Sequence, residues 1–131
     1  MVPLMFDGLK GQTTATALLH RAVSQDRIAP AYLFAGPEGV GRRLAAEQFV
    51  ETMFAQSRSF QESSRDTLHR RIQQRNHPDL LWVEPTYRQQ GKLITVSEAQ
   101  EKGVTRKSPP QIRLQQVRQI AQFLSRPPLE A

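Results

Sequence analysis

Cysteine is absent from the 131 residues of this chain, and aromatic residues make up 7% of it. Without cysteine the chain forms no disulfide and offers no thiolate ligand to a metal ion. No apolar run approaches the ~20 residues that a membrane-spanning helix requires. The amino-terminal segment 1–7 lacks the basic flank and apolar centre of a signal peptide. These absences favour a cytoplasmic protein that does not contact a membrane.

Acidic residues are absent from the segment 102–126, which we call the basic stripe. Its cations account for the whole net charge of +6. They are Lys102, Arg106, Lys107, Arg113, Arg118 and Arg126. Such a stripe suits the phosphate backbone of DNA, whose binding is electrostatic and depends on salt. The same charges also fit a solvated face or an acidic protein partner, because Phe123 is the one aromatic residue among them.

Glycine is scarce, with 7 residues in the chain, but three of them lie in one short segment, residues 36–43. Gly36 and Gly41 have the G-x-x-x-x-G spacing of a phosphate-binding loop, in which backbone N–H groups approach a phosphate. Lysine and then serine or threonine normally follow, to reach the terminal phosphates and to hold Mg²⁺. Arg42 and Arg43 stand there instead. The predicted nucleotide site is therefore degenerate and consists of Gly36, Gly39, Val40, Gly41, Arg42 and Arg43.

The residues around this loop have the pattern that a phosphate loop requires. Residues 31–35 are a short apolar run, which predicts a strand buried on both faces. Apolar residues then recur at helical spacing from Leu44 to Phe54. Arginine is a bulky planar fork rather than a compact ammonium, and Arg43 cannot ligate Mg²⁺. The alternative interpretation is a tight strand-to-helix turn with no ligand.

Other patterns predict three more helices and a second strand. Thr13 or Thr14 is expected to cap a first helix that ends near residues 24–26. Residues 56–76 are polar and arginine-rich and are compatible with a surface helix. A turn at 76–79 precedes a second buried strand at 80–83, and a final helix over 112–124 ends before the prolines that follow.

The segment 86–110 is predicted to be a long irregular insert with a small hairpin around Gln90-Gly91. Two strands of the parallel type cannot cover the faces and edges of a sheet. A phosphate-loop domain also needs a later strand with an acidic residue for Mg²⁺. Residues 1–131 are therefore expected to be the amino-terminal part of an α/β P-loop NTPase domain, with an open, mainly parallel sheet flanked by helices.

Four pieces of the sequence, in order, resemble the delta-prime subunits of the bacterial DNA polymerase III clamp loader, which belong to the AAA+ superfamily. These pieces are Phe6 with Gly11-Gln12, Arg27–Phe34 before the loop, Asn76–Leu80, and Ile112–Arg118. Their combination is specific, although no single piece is. The insert and residues 108–113 most resemble cyanobacterial versions of this subunit.

The resemblance implies a subunit of a DNA-directed DNA polymerase complex (a nucleotidyltransferase) that helps to load the sliding clamp onto primed DNA during replication. Its implied partners are the motor subunits and the delta subunit, with the clamp and primed DNA reached through the complex. Delta-prime is a structural member of that ring, often with a degraded nucleotide loop. No cofactor is therefore expected, and bound ATP with Mg²⁺ is the less favoured case. The family's arginine finger lies beyond Ala131, so no arginine of this chain takes that role.

Related clamp-loader subunits carry a four-cysteine zinc module in the region that corresponds to residues 54–74. This chain has no cysteine there, and His69 and His77 do not supply a ligand set, so no metal site is expected. His77 is expected to hydrogen-bond within its own turn. No catalytic residue is proposed. Besides the structural subunit, two functions stay open: an ATP-hydrolysing motor subunit, and a DNA-binding module that uses the basic stripe.

Overall fold

The computed structural model describes residues 9–56, 60–105 and 108–130, and these divide into two compact units. The first unit runs to Asn76 and includes Glu130, and the second is His77–Leu129. Helices and a small sheet together make the described part a mixed α/β chain. None of the helices in the described ranges is long and apolar enough to cross a membrane.

The described part of the first unit contains three α-helices: α1 at Thr13–Ser24, α2 at Arg42–Phe54 and α3 at Arg65–Gln73. A single 3-10 turn at Glu62–Ser64 directly precedes α3. The predicted positions of α1 and α2 are confirmed, and α3 is the predicted surface helix. The predicted cap of α1 is wrong. Gln12 occupies the N-cap position without a side-chain hydrogen bond, and Thr13 is already helical.

The core of the first unit joins one face of α1 to one face of α2. Leu19 and Val23 of α1 are buried together with Phe49 of α2, and Leu9, Phe34 and Met53 pack against this cluster. On its other side α2 meets α3, whose two apolar residues, Leu68 and Ile72, are buried. The apolar spacing in the sequence therefore does select the faces that pack.

The predicted strand at 31–35 is extended but pairs with no other described segment, and it is not buried on both faces. Its side chains alternate: the Tyr32 and Phe34 rings lie 4.8 and 6.5 Å from the Phe49 ring, whereas Leu33 is 92% exposed. A parallel strand becomes buried only when neighbouring strands and helices cover both faces. The first unit supplies helices to one face, so Leu33 stays in water.

The second unit contains the predicted hairpin. Strand β1 at Thr86–Gln89 pairs antiparallel with β2 at Lys92–Thr95, with Thr86 opposite Thr95. Gln90 and Gly91 connect them with φ angles of 49° and 77°, as a two-residue hairpin turn requires. The segment expected to be irregular therefore holds this hairpin, and α4 at Val96–Glu101 follows it directly.

The last helix, α5, spans Leu114–Leu124 within the predicted range, and it is attached to the second unit through a buried glutamine. The Gln116 amide donates to the Glu84 carbonyl (2.7 Å) and accepts from the Arg113 backbone N–H (2.9 Å) and the Thr86 hydroxyl (3.0 Å). One side chain thus ties the start of the hairpin to the start of α5.

The predicted mainly parallel sheet is absent from the described residues, in which the two antiparallel strands of the hairpin form the sheet. Residues 80–83, the second predicted strand, have no strand pairing either. Each unit holds a single apolar run of the parallel type, and a strand without a hydrogen-bonded neighbour is not a sheet. The composition of both runs is typical of buried strands, but composition does not supply the hydrogen-bonded neighbour that a sheet requires.

The hydrogen bonds of Gln116 lead to a test of the second unit. We expect Gln116→Ala to lower the free energy of unfolding by about 1–3 kcal/mol, because it leaves buried polar groups without their partner. Gln119→Ala, on the exposed face of the same helix, is the control and should change it by less than about 0.5 kcal/mol. Urea denaturation measures both. Equal midpoints for the two variants would contradict the role given to Gln116.

Candidate functional site

The glycine loop connects the extended segment 31–35 to α2 through a left-handed backbone. Gly41 is the N-cap residue of α2, with φ 94° and ψ 26°, and Gly39 has φ 83°. Residues with a Cβ atom rarely adopt these angles, so both positions favour glycine on conformational grounds alone. The first turn of α2 then presents backbone N–H groups that have no carbonyl partner within the helix.

The chain itself occupies space that a side chain on the loop would need. A Cβ atom on Gly41 would lie 2.5 Å from Cδ2 of Leu9, and one on Gly36 would lie 3.1 Å from Cγ1 of Val40. Gly41 therefore permits the contact between the loop and Leu9, which belongs to the core of the first unit. The glycine spacing has a packing role that is independent of any ligand.

The two arginines differ in how they are held. Arg42 is exposed at the first position of α2. Arg43 Nε donates to Oε1 of Glu47, one turn further along α2, at 2.7 Å. Glu47 does not belong to the predicted site, although its i,i+4 spacing from Arg43 indicates such a pair. The position that would carry the Mg²⁺-binding hydroxyl is thus taken by a cation that pairs along the helix.

An apolar cavity of about 350 Å³ lies beside the loop, between α1 and the segment 31–35. Leu9, Leu19, Phe34 and Val40 line it, and Arg42 stands at its edge. A second, more open cleft of about 430 Å³ lies over the loop and is lined by Gly39, Gly41 and both arginines. Apolar walls beside the amino end of a helix can accommodate an apolar group joined to an anion.

The residues of the predicted nucleotide site are brought together in the structure, whereas those of the basic stripe are dispersed. Gly36, Gly39, Val40, Gly41, Arg42 and Arg43 form one continuous loop and helix start in the first unit. In the basic stripe, exposed Lys102 follows the end of α4, Arg113 precedes α5, and Arg118 is exposed on α5. The Arg126 guanidinium carbon lies 5.7 Å from the centroid of the Phe123 ring. Arg106, Lys107 and Phe6 lie outside the described residues.

The histidines make local contacts. Nδ1 of His77 accepts a hydrogen bond from the Asp79 backbone N–H at 3.1 Å, which confirms the prediction that this ring bonds within its turn. Nδ1 of His69 lies 2.7 Å from Oε2 of Glu51 and links α3 to α2. Within the described ranges, no group of three or more potential metal ligands is clustered.

Comparison with known proteins gives one family and two partial relatives. Residues 11–131 match the family model described as DNA polymerase III, delta subunit. Over 76 residues the chain is 36% identical to DNA polymerase III subunit delta′ of Bacillus subtilis (strain 168), which covers 56% of this chain and 22% of that protein. Over 47 residues it is 45% identical to Protein STICHEL of Arabidopsis thaliana, 36% of this chain and 4% of that protein.

No solved structure matches the chain. The aligned part spans less than a quarter of the length of either relative. The family match, by contrast, takes in nearly the whole chain, and it agrees with the delta-prime relative, so the chain belongs to the delta-prime subunit family of DNA polymerase III.

Proposed function

We propose that this chain is the amino-terminal part of the AAA+ domain of a clamp-loader subunit that supports the loader ring without hydrolysing ATP. Its partners are then the motor subunits and the delta subunit, and it meets the sliding clamp and primed DNA through that complex in the cytoplasm. Membership of the delta-prime family supports the assignment of the chain to the clamp-loader complex. The 2.7 Å pair between Arg43 and Glu47 carries the non-hydrolysing role.

The pair matters because phosphoryl transfer depends on a metal ion held against the phosphates. A guanidinium at the position of Arg43 has no lone pair for Mg²⁺ and opposes a nearby cation. Its Nε donates to Glu47 along the helix, while the side chain also lines the cleft over the loop. The loop therefore keeps its shape and lacks a metal ligand.

The same residues still suit an anion. The first turn of α2 contains no acidic residue and carries both arginines, although helix starts normally favour negative charge. A bound phosphate would meet the amides of Gly39 and Gly41, and Arg42 would hold it as a fork without a metal ion. The N–H of Val40, which also belongs to the predicted site, donates to the Pro37 carbonyl at 3.4 Å. Nucleotide without Mg²⁺ is therefore the form of ligand that this degenerate site would accept.

Two alternatives have less support. An ATP-hydrolysing motor subunit would need a hydroxyl where Arg43 stands. A DNA-binding module would use the basic stripe, but the described cations of that stripe are dispersed between the end of α4 and α5, and Nε of Arg113 is buried. We also propose that the subunit is of the cyanobacterial type, which its segment 86–110 resembles.

The packing role of the loop predicts unequal effects of two alanine substitutions. Gly39→Ala and Gly41→Ala both place a side chain at positive φ, but only the second meets Leu9. We expect Gly41→Ala to be the more destabilising by about 0.5–1 kcal/mol, because the added methyl displaces Cδ2 of Leu9, the end of a flexible side chain, from its place in the packing.

Chemical denaturation of both variants measures the difference, and no ligand is needed. When both variants also carry Leu9→Ala, the difference in unfolding free energy between Gly39→Ala and Gly41→Ala should shrink, since the side chain that the added methyl meets is gone. Equal stability of the two glycine variants would show that the contact with Leu9 does not constrain the loop.

The proposed role predicts that the arginines of the loop are dispensable for clamp loading. We expect a reconstituted loader with Arg42→Ala/Arg43→Ala in this subunit to load clamps within about twofold of the unaltered rate, because exposed side chains contribute little to the fold. A loader that lacks the subunit is the control and should be inactive. A loss of about tenfold or more in the variant would assign the loop a part in ATP turnover.

A further inference from the structure

The two ends of the segment 87–110 meet at a pair of reciprocal hydrogen bonds. The Thr86 backbone N–H donates to the Gln111 carbonyl at 2.8 Å, and the Gln111 N–H donates to the Thr86 carbonyl at 3.0 Å. The Thr86 hydroxyl donates a third bond to the same Gln111 carbonyl at 3.1 Å. The chain therefore leaves and returns at one closed base, and we call the residues between, 87–110, the appendage.

Thr86 closes this base because it has a neighbour on each side. Thr95 lies opposite it in the hairpin, and Gln111 pairs with it on the other side. Thr86 is 3% exposed, so its bonds to Gln111 are shielded from water. Shielded hydrogen bonds are electrostatically stronger than those in water, and the base is therefore a fixed point of the second unit.

The chain on either side of the base is held together without the appendage. The Gln116 amide donates to the carbonyl of Glu84, which precedes the base, and accepts from the N–H of Arg113, which follows it. One side chain of α5 thus bridges the segment that enters the appendage and the segment that leaves it. We call these flanking residues, 80–86 and 111–124, the framework.

The appendage also has internal packing of its own. Helix α4 packs against both strands of the hairpin. Ile94 of β2 and Ala99 of α4 are buried. The turn at Gln90-Gly91 and the capping box of α4 are formed by residues of the appendage alone. Its local structure therefore depends on contacts that lie within it.

Two further hydrogen bonds attach the appendage to the residues just before the base. The Val96 N–H donates to the Pro85 carbonyl at 3.2 Å, and the Ser97 hydroxyl donates to Oε1 of Glu84 at 2.6 Å. Pro85 is exposed and Glu84 is half-buried, so water can replace both donors. Loss of these bonds leaves the contacts of Gln116 in place.

We propose that residues 87–110 are a separable module, which the framework carries on a closed base and does not need for its own fold. The inference depends on contacts within the second unit and stands apart from the nucleotide chemistry of the loop in the first. Its tests measure folding, so a failure here would leave the clamp-loader proposal untouched, and the reverse is also true.

The geometry of the base defines the first test variant. Thr86 and Gln111 bond to each other in both directions, as do the two residues that flank a two-residue hairpin turn. Asn-Gly in place of residues 87–110 of the full-length protein should therefore join them without shifting the framework. We expect a thermal midpoint within about 3 °C of that of the unaltered protein, and amide exchange of α5 within about threefold.

A register-shifted variant is the matched control. It has Asn-Gly in place of residues 88–111, a segment of the same length, and so removes Gln111 and places Ile112 opposite Tyr87. We expect its α5 amides to exchange at least about tenfold faster than in the unaltered protein, because the shift breaks the base and moves Gln116 away from Glu84.

A second deletion variant makes no demand on turn geometry. A flexible linker of about six Gly and Ser residues replaces the appendage, and loop length changes the closure entropy only slowly. We expect α5 to keep its protection from amide exchange within about threefold of the unaltered protein.

Retained protection of α5 in the deletion variants, with loss in the register-shifted control, supports the proposal. Two results would overturn it. One is an unfolded framework in both deletion variants, which would show that the framework needs the appendage. The other is equal exchange of α5 in the Asn-Gly variant and in the control, which would show that the pair of Thr86 and Gln111 does not define the base.

Discussion

The first unit depends on the left-handed turn at Gly39 and Gly41 that leads into α2, and on Leu9, which packs against Gly41. At Gly41 the chain turns from the extended segment 31–35 into α2, and Leu9 fills the space that a side chain would take. This turn sets Phe49 of α2 against the rings of Tyr32 and Phe34 and completes the cluster with α1. The loop therefore has a structural role in the core of the first unit that does not depend on a ligand.

This loop has the backbone shape of a phosphate loop without the side chains that bind Mg²⁺ and the terminal phosphates. The glycines that give a phosphate loop its shape are retained, and the shape serves the core of the unit through Leu9. The side chains that give such a loop its chemistry are replaced, and Arg43 pairs with Glu47. A loop with a packing role can keep its backbone form after its ligand chemistry is lost, because the two depend on different atoms. This separation is compatible with the structural role proposed above.

Local sequence patterns predicted much of the fold. Most of the errors concern strands, whose pairing depends on other segments of the protein. The helices α1, α2 and α5 and the hairpin at Gln90-Gly91 follow from apolar spacing and turn residues, which act locally. Helix α4 was not predicted, although Thr95 and Glu98 form the capping box that indicates the start of a helix. The runs 31–35 and 80–83 have strand composition, but pairing depends on partners that sequence alone does not supply. The same reason explains why the sequence predicted the apolar spacing of α5 but not that the Gln116 side chain attaches this helix to Glu84 and Thr86.

Titration calorimetry of the full-length protein with ATP tests most directly whether the loop lacks metal-dependent nucleotide binding. The titration is run with Mg²⁺ and with a chelator, and Arg42→Lys/Arg43→Thr is titrated alongside as a variant with the missing groups restored. Because Arg43 offers no ligand to a metal ion, the account predicts that Mg²⁺ does not strengthen ATP binding by the unaltered protein. An affinity that Mg²⁺ raises by about tenfold or more in the unaltered protein would contradict it.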